Sequence, residues 1–102
     1  MEIIRTTRDG IDVISLHGKL DTIAAGKMEP VMLELIRENI KLEIDMSDAS
    51  YICSAALRVF LKTQKEINKL NCGEMVVLHC NQGIKEVFEM TGFSGILNIK
   101  EE

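Results

Sequence analysis

Between Leu42 and Leu70 a strand-like alternation leads into Ser47-Asp48-Ala49-Ser50-Tyr51-Ile52-Cys53-Ser54 and then directly into an amphipathic helix. That spacing puts the Ser54 hydroxyl at a helix N-terminus, where unpaired backbone N–H groups and the helix dipole favour added negative charge. Such a position suits a switch worked by charge. It equally suits an N-cap, whose oxygen accepts a backbone N–H for about 1 kcal/mol of stability. The two roles are compatible, since a capping hydroxyl at the end of a crevice is open to modification.

Nucleophilic catalysis would need a base beside Ser54 or Cys53. His17 and His79 are the only histidines, and both fall in expected strands away from that serine. His17 shares a face with Ile11 and Val13 and reads as a structural histidine. Asp21, Asp45 and Asp48 could hold Mg²⁺ around a phospho-accepting aspartate, as in a response-regulator receiver. Receivers, however, are built on five βα repeats, whereas this chain opens on a hairpin and lacks a well-placed lysine after a fifth strand. There is no glycine-rich phosphate loop. Cys53, Cys72 and Cys80 are odd in number and lack paired zinc-site spacing, which fits free thiols in a reducing compartment. His79 and Cys80, adjacent on an expected strand, would point to opposite faces. No metal, cofactor or catalytic residue is expected.

The elements that must position Ser54 follow from periodicity. Ile3 to Thr7 and Ile11 to His17 read as strands joined through Asp9-Gly10, a pair that supplies the positive φ angles of a tight hairpin. Ile11 and Val13 fall on one face of the second strand and Ile14 and Leu16 on the other, which predicts an interior strand covered on both sides. After Gly18-Lys19-Leu20-Asp21-Thr22, a helix carries Met28, Met32, Leu35 and Ile36 as its apolar stripe, with Pro30 tolerable only in its first turn, so the periodicity does not fix where the helix starts. Lys41 to Met46 alternates as a strand. The Ser54 helix buries Ala56, Phe60, Thr63, Ile67 and Leu70 and stops at Asn71 to Gly73. Glu74 to Cys80 is an apolar run suited to a central strand. Asn81 caps a third helix, with Ile84, Val87, Phe88 and Thr91 at helical spacing and Gly92 as a left-handed C-terminal cap. Ile96 to Ile99 forms a last strand. The order β-β-α-β-α-β-α-β predicts an α/β fold, a mixed sheet with helices packed mainly on one face. Loops after the strands then gather Asp21, Asp48, Asn81 and Ser54 at one end of the sheet, where such sheets bind ligands and partners.

Composition narrows the class. The 102 residues suffice for one domain, residues 1–102, and 46% of them are hydrophobic. Charged residues make up 27% and leave a formal net charge of -4, which argues against attraction to nucleic acid or anionic lipid. No apolar run approaches the roughly 20 residues that cross a bilayer, and a cytoplasmic location is expected.

With these residues placed, the chain resembles a STAS domain, specifically the bacterial anti-sigma factor antagonists. The likeness runs from Gly18-Lys19-Leu20-Asp21 to Ile99. Ile44-Asp45-Met46-Ser47-Asp48-Ala49-Ser50-Tyr51-Ile52 is similar to the family's third strand and loop, Leu57-Arg58-Val59-Phe60-Leu61 to its second helix, and Val87-Phe88-Glu89-Met90-Thr91-Gly92-Phe93 to the end of its third. The resemblance implies a STAS fold and a binding module without catalytic activity. It also implies a serine phosphorylated by a partner that is both serine kinase and anti-sigma factor, restored by a phosphoserine phosphatase. That serine falls on Ser54. The implied docking surface comprises Asp21, Thr22, Ser54, Ala55, Leu57 and Arg58, with Leu57 and Arg58 giving apolar and charged contact. This chain departs from the family motif at Cys53, where an aspartate is usual, and at Ala55 and Ala56, where a serine or threonine and a glycine are usual; the Ala56 methyl is expected where close approach is needed. These departures favour the alternative of a constitutive STAS scaffold subunit in a transport or stress-signalling assembly.

Overall fold

The computed structural model describes residues 1–70 and 73–100. Its elements in chain order are β1 (Glu2–Arg8), β2 (Ile11–Leu20), α1 (Thr22–Glu34), β3 (Lys41–Asp45), β4 (Ala49–Ile52), α2 (Ser54–Asn68), β5 (Glu74–Leu78), α3 (Gln82–Met90), a 3₁₀ turn at Phe93–Gly95, and β6 (Asn98–Lys100). The strands form one mixed sheet in the order β1-β2-β3-β5-β6, with β4 paired to β2 off this path. β1 is antiparallel to β2, and the other pairings are parallel. This is the expected STAS architecture with one additional strand.

The hairpin forms at Asp9 (φ 52°) and Gly10 (φ 80°), both in the left-handed region that a two-residue turn requires. From there β2 runs through the middle of the sheet, with Ile14 and Leu16 buried beneath the helices. Ile11 and Val13 on its other face are only half-buried, so the expected cover on both sides is not found: the helices occupy one face, and the opposite face is partly open. At Gly18 (φ 93°) the register shifts in a β-bulge, and β2 exchanges β3 for β4 as its parallel neighbour. The segment expected as a loop after Asp48 therefore contains strand β4, whose Ala49 and Ile52 face the core.

α1 starts at Thr22, so Pro30 sits inside the helix rather than in its first turn. Pro30 is exposed, which keeps its ring out of the core, and its missing N–H leaves the Gly26 carbonyl without the usual helical donor. Ala24, Ala25, Met28 and Met32 are the buried stripe; Leu35 is the C-terminal cap and Ile36 lies past the helix end, both half-buried. In α2 the expected stripe is present, with Ala56, Phe60, Thr63 and Ile67 fully buried and Leu70 half-buried beyond the last turn. Asn71 and Cys72, part of the expected helix stop, lie outside the described residues. Phe60 meets Phe88 of α3 edge to face, with ring centroids 6.0 Å apart, a favourable aromatic geometry that ties the two helices together. β5 ends at Leu78, since His79 adopts φ 63° and leaves the strand. Asn81 caps α3, accepting the Ile84 N–H at 2.8 Å, and Gly92 closes it at φ 78°. Because the 3₁₀ turn intervenes, the last strand begins two residues later than expected.

Candidate functional site

β2 and β4 are parallel and finish level with one another. Leu20 is in register with Ile52, and the Cys53 N–H donates to the Leu20 carbonyl at 3.0 Å. Both strands then pass directly into helices, so α1 and α2 begin side by side with Thr22 and Ser54 as their first residues. The two starts differ chemically. Asp21 caps α1 by accepting the Ala24 N–H at 2.9 Å. At α2 the cap position belongs to Cys53, in extended conformation (φ -100°, ψ 172°), and no side chain bonds to the first turn. Thiol sulfur is a weak acceptor. Ser54 is thus not the cap that its spacing suggested; its hydroxyl is exposed and makes no hydrogen bond among the described residues.

Of the expected docking residues, Asp21, Thr22, Ser54 and Arg58 are exposed and Ala55 is half-buried. Leu57 is a correction. Only 5% of it is accessible, because it turns toward the core with Ala56 and Phe60, and it supports the surface from beneath rather than touching a visitor. Ala56 is fully buried too, so its methyl fills the core and does not obstruct the surface. Between the helices lies an open groove of about 370 Å³. It exists because Ala25, Gly26 and Ala55 are too small to close it, and the Lys62–Glu29 ion pair (2.8 Å) spans its far end. Hydrogen bonding to Glu29, then its charge, raises the Lys62 pKa above the ordinary lysine value.

Two apolar residues that sequence reasoning missed lie close in chain to the helix starts, Ile23 in the recess that also holds Asp21 and Tyr51 in register with Lys19. Ile23 is 72% exposed and Tyr51 is 51% exposed. Ile23 falls outside the α1 stripe, a signal present in the sequence; Tyr51 points outward only because β4 is a strand. Lys19, Lys27 and Arg58 are exposed and form no ion pair among the described residues. A second recess of about 310 Å³ brings Lys19, Asp21, Ile23 and Lys27 together.

The three aspartates considered for Mg²⁺ do not converge. Asp21 is the α1 cap, Asp45 accepts the Ser47 N–H at 3.0 Å, and Asp48 lies 3.0 Å from His17 Nδ1. The last contact, with the Gly18 N–H donating to the Asp48 carbonyl at 2.9 Å, holds the loop before β4 against the bulge in β2. His79 is exposed beyond the end of β5, which corrects its expected place within a strand. Cys80 is buried, and desolvation pushes its thiol up to about 11 despite the opposing charge of Lys85. It is a thiol, not a thiolate, at neutral pH. Among the described residues, no three His, Cys, Asp or Glu side chains are grouped to hold a metal ion, and no helix is long and apolar enough to cross a membrane.

A family model described as STAS domain matches residues 2–102. The anti-sigma-B factor antagonist of Listeria monocytogenes is 32% identical over 101 residues, which cover 98% of this chain and 87% of that protein. Among solved structures, an anti-sigma factor antagonist from Mycobacterium paratuberculosis superposes with a TM-score of 0.84 at 20% identity, covering 99% of this chain and 86% of that one. The Bacillus cell fate determinant SpoIIAA in its phosphorylated form gives a TM-score of 0.73 at 17% identity, covering 99% and 93%.

Proposed function

The chain belongs to the STAS domain family, and from that membership we propose that it is an anti-sigma factor antagonist: a single domain that binds an anti-sigma factor serine kinase and is switched off by phosphorylation of Ser54. One observation carries the reading. Ser54 is the exposed first residue of a helix that has no side-chain cap, beside the start of a second helix. A phosphoryl group there gains about 0.3 to 1 kcal/mol from the helix end and can accept the first-turn N–H groups that Cys53 leaves uncapped. The fold therefore tolerates the modification.

The partner does not. A phosphoryl group brings roughly 1.5 to 2 negative charges, and one charge about 4 Å from a partner carboxylate costs on the order of 4 kcal/mol at an effective dielectric of 20. That approaches the ~5.5 kcal/mol of a near-complete switch, so direct repulsion suffices without a conformational change. Thr22, Ala55 and Arg58 line the groove between the two helices, and Asp21 caps the neighbouring helix start; the exposed Ile23 and Tyr51 supply apolar contact in place of the buried Leu57, since exposed aromatic and aliphatic residues make effective anchors when a partner desolvates them. The domain is a substrate and a binding surface, not a catalyst, and a phosphoserine phosphatase would reset it.

Incubation with the cognate kinase and ATP, followed by mass spectrometry, tests the assignment. Phosphate on Ser54, lost in Ser54→Ala, is the expected result, and equal labelling of Ser54→Ala removes that residue from the mechanism. Cys53 in place of a carboxylate favours the second reading, a constitutive scaffold of a transport or stress-signalling assembly. Pull-down separates the two: a switch releases its partner on Ser54→Asp, whereas a scaffold retains it with or without ATP.

A further inference from the structure

The two edges of the sheet are unequal. Among the described residues, β6 offers three and is preceded by the 3₁₀ turn, whereas β1 offers seven, in unbroken register with β2 from Glu2↔His17 to Arg8↔Ile11. Six of the seven are exposed, and only Ile3 is half-buried. β1 contains no proline and no bulge, two of the devices that usually blunt an edge. Its free row of backbone N–H and C=O groups is a template for another strand.

We propose that the strand it receives is β1 of a second copy, paired antiparallel about a two-fold axis at Arg5. The order of side chains selects this register. Glu2 then faces Arg8 of the other copy, Ile3 faces Thr7, Ile4 faces Thr6, and the same contacts repeat across the axis. A slip of one residue is incompatible with the two-fold, because it would turn one copy's helices to the opposite side of the joint sheet. A slip of two sets Glu2 against Thr6 or Arg8 against Ile4 and shortens the ladder. In the chosen register, a residue whose N–H and C=O turn away from β2 meets one that does the same.

Charge and apolar surface both agree with it. Glu2 has no ion-pair partner among the described residues. Arg8 gives Nη2 to both Glu43 oxygens at 3.1 Å, which leaves guanidinium donors for a second carboxylate. Ile4, 40% exposed, comes diagonally across from its own copy on the open face of the sheet, within reach for an apolar contact. The two Arg5 side chains oppose each other on the helical face, but each lies 3.6 Å from its own Glu34, so opposite charges flank them. The resulting sheet is continuous, with the helices of both copies on one side. The antiparallel join sends the carboxyl ends of the two β2 strands in opposite directions, which leaves both Ser54 surfaces accessible.

Sedimentation equilibrium on the full chain, with Glu2→Arg, Arg8→Glu and the double swap, tests the pairing. The unaltered chain is expected to dimerise reversibly, with a substantial dimer population at about 100 µM. Each single reversal sets like charges together twice per dimer and weakens association by on the order of tenfold or more, and the double swap recovers it. Circular dichroism confirms that each variant is folded. A chain that is monomeric at that concentration, a dimer indifferent to all three variants, or a double swap that fails to recover association overturns the proposal.

Discussion

Asp21 and Cys53 occupy equivalent cap positions at the starts of neighbouring helices, and their side chains decide what each start can do. The carboxylate closes the first turn of α1; the thiol leaves that of α2 without a side-chain cap. Replacing Asp21 by alanine is expected to cost about 1 kcal/mol, as loss of a cap usually does, lowering the thermal midpoint by about 4 to 8 °C for a domain near this size. Differential scanning calorimetry reads the change. The chemistry of both caps is visible in the sequence, but the helix frame is not. Ser54 fits the cap position by type, yet Cys53 takes it, because the Cys53 N–H is held by the Leu20 carbonyl while the Cys53 carbonyl already accepts from Leu57 at 3.0 Å. One is a long-range bond and the other local, and residue preference reports only on the local one.

At the level of elements, the strongly periodic segments were legible: the hairpin, β3, β5, α2 and α3 all lie where their apolar spacing put them, within a few residues. β4 was not, since four residues carry too little alternation to separate a strand from a loop, and Asp48 and Ser50 are common turn residues. Its pairing with β2 is what makes it a strand. The start of α1 is not legible in the sequence, because a proline normally marks a first turn and Pro30 lies inside the helix. Here the proline is exposed, and Gly26 stands four residues before it. Gly26 is itself helical, and a methyl group added there would meet nothing within 4 Å. Gly26→Ala should therefore stabilise the protein by about 0.5 to 1 kcal/mol, seen as a higher urea midpoint with an unchanged slope. A lower midpoint would mean that the α1 backbone needs glycine opposite Pro30.

For the molecule as a whole, stability should decline at high pH for an identifiable reason. The Cys80 thiol titrates at about 11 in the folded chain against 9.0 for an unhindered thiol. Between these values the unfolded chain has lost the proton that the folded chain still holds, so the unfolded state binds fewer protons and stability falls as pH rises. Above about 11 this contribution levels off, and Cys80→Ala should flatten the decline in a urea-denaturation series from pH 8 to 11. The sequence by itself determined the class of fold, the order of the main elements, the main buried stripe of α2 and the position of Ser54 near a helix start, because each is written in side-chain spacing over a few residues. Tertiary structure alone decided that a β2–β4 pairing sets the two helix starts level at one end of the sheet, that Leu57 is buried while Ile23 and Tyr51 face solvent, and that one face of the sheet stays partly open. Those outcomes depend on which distant strands pair and how their ends align, and no local period encodes that choice.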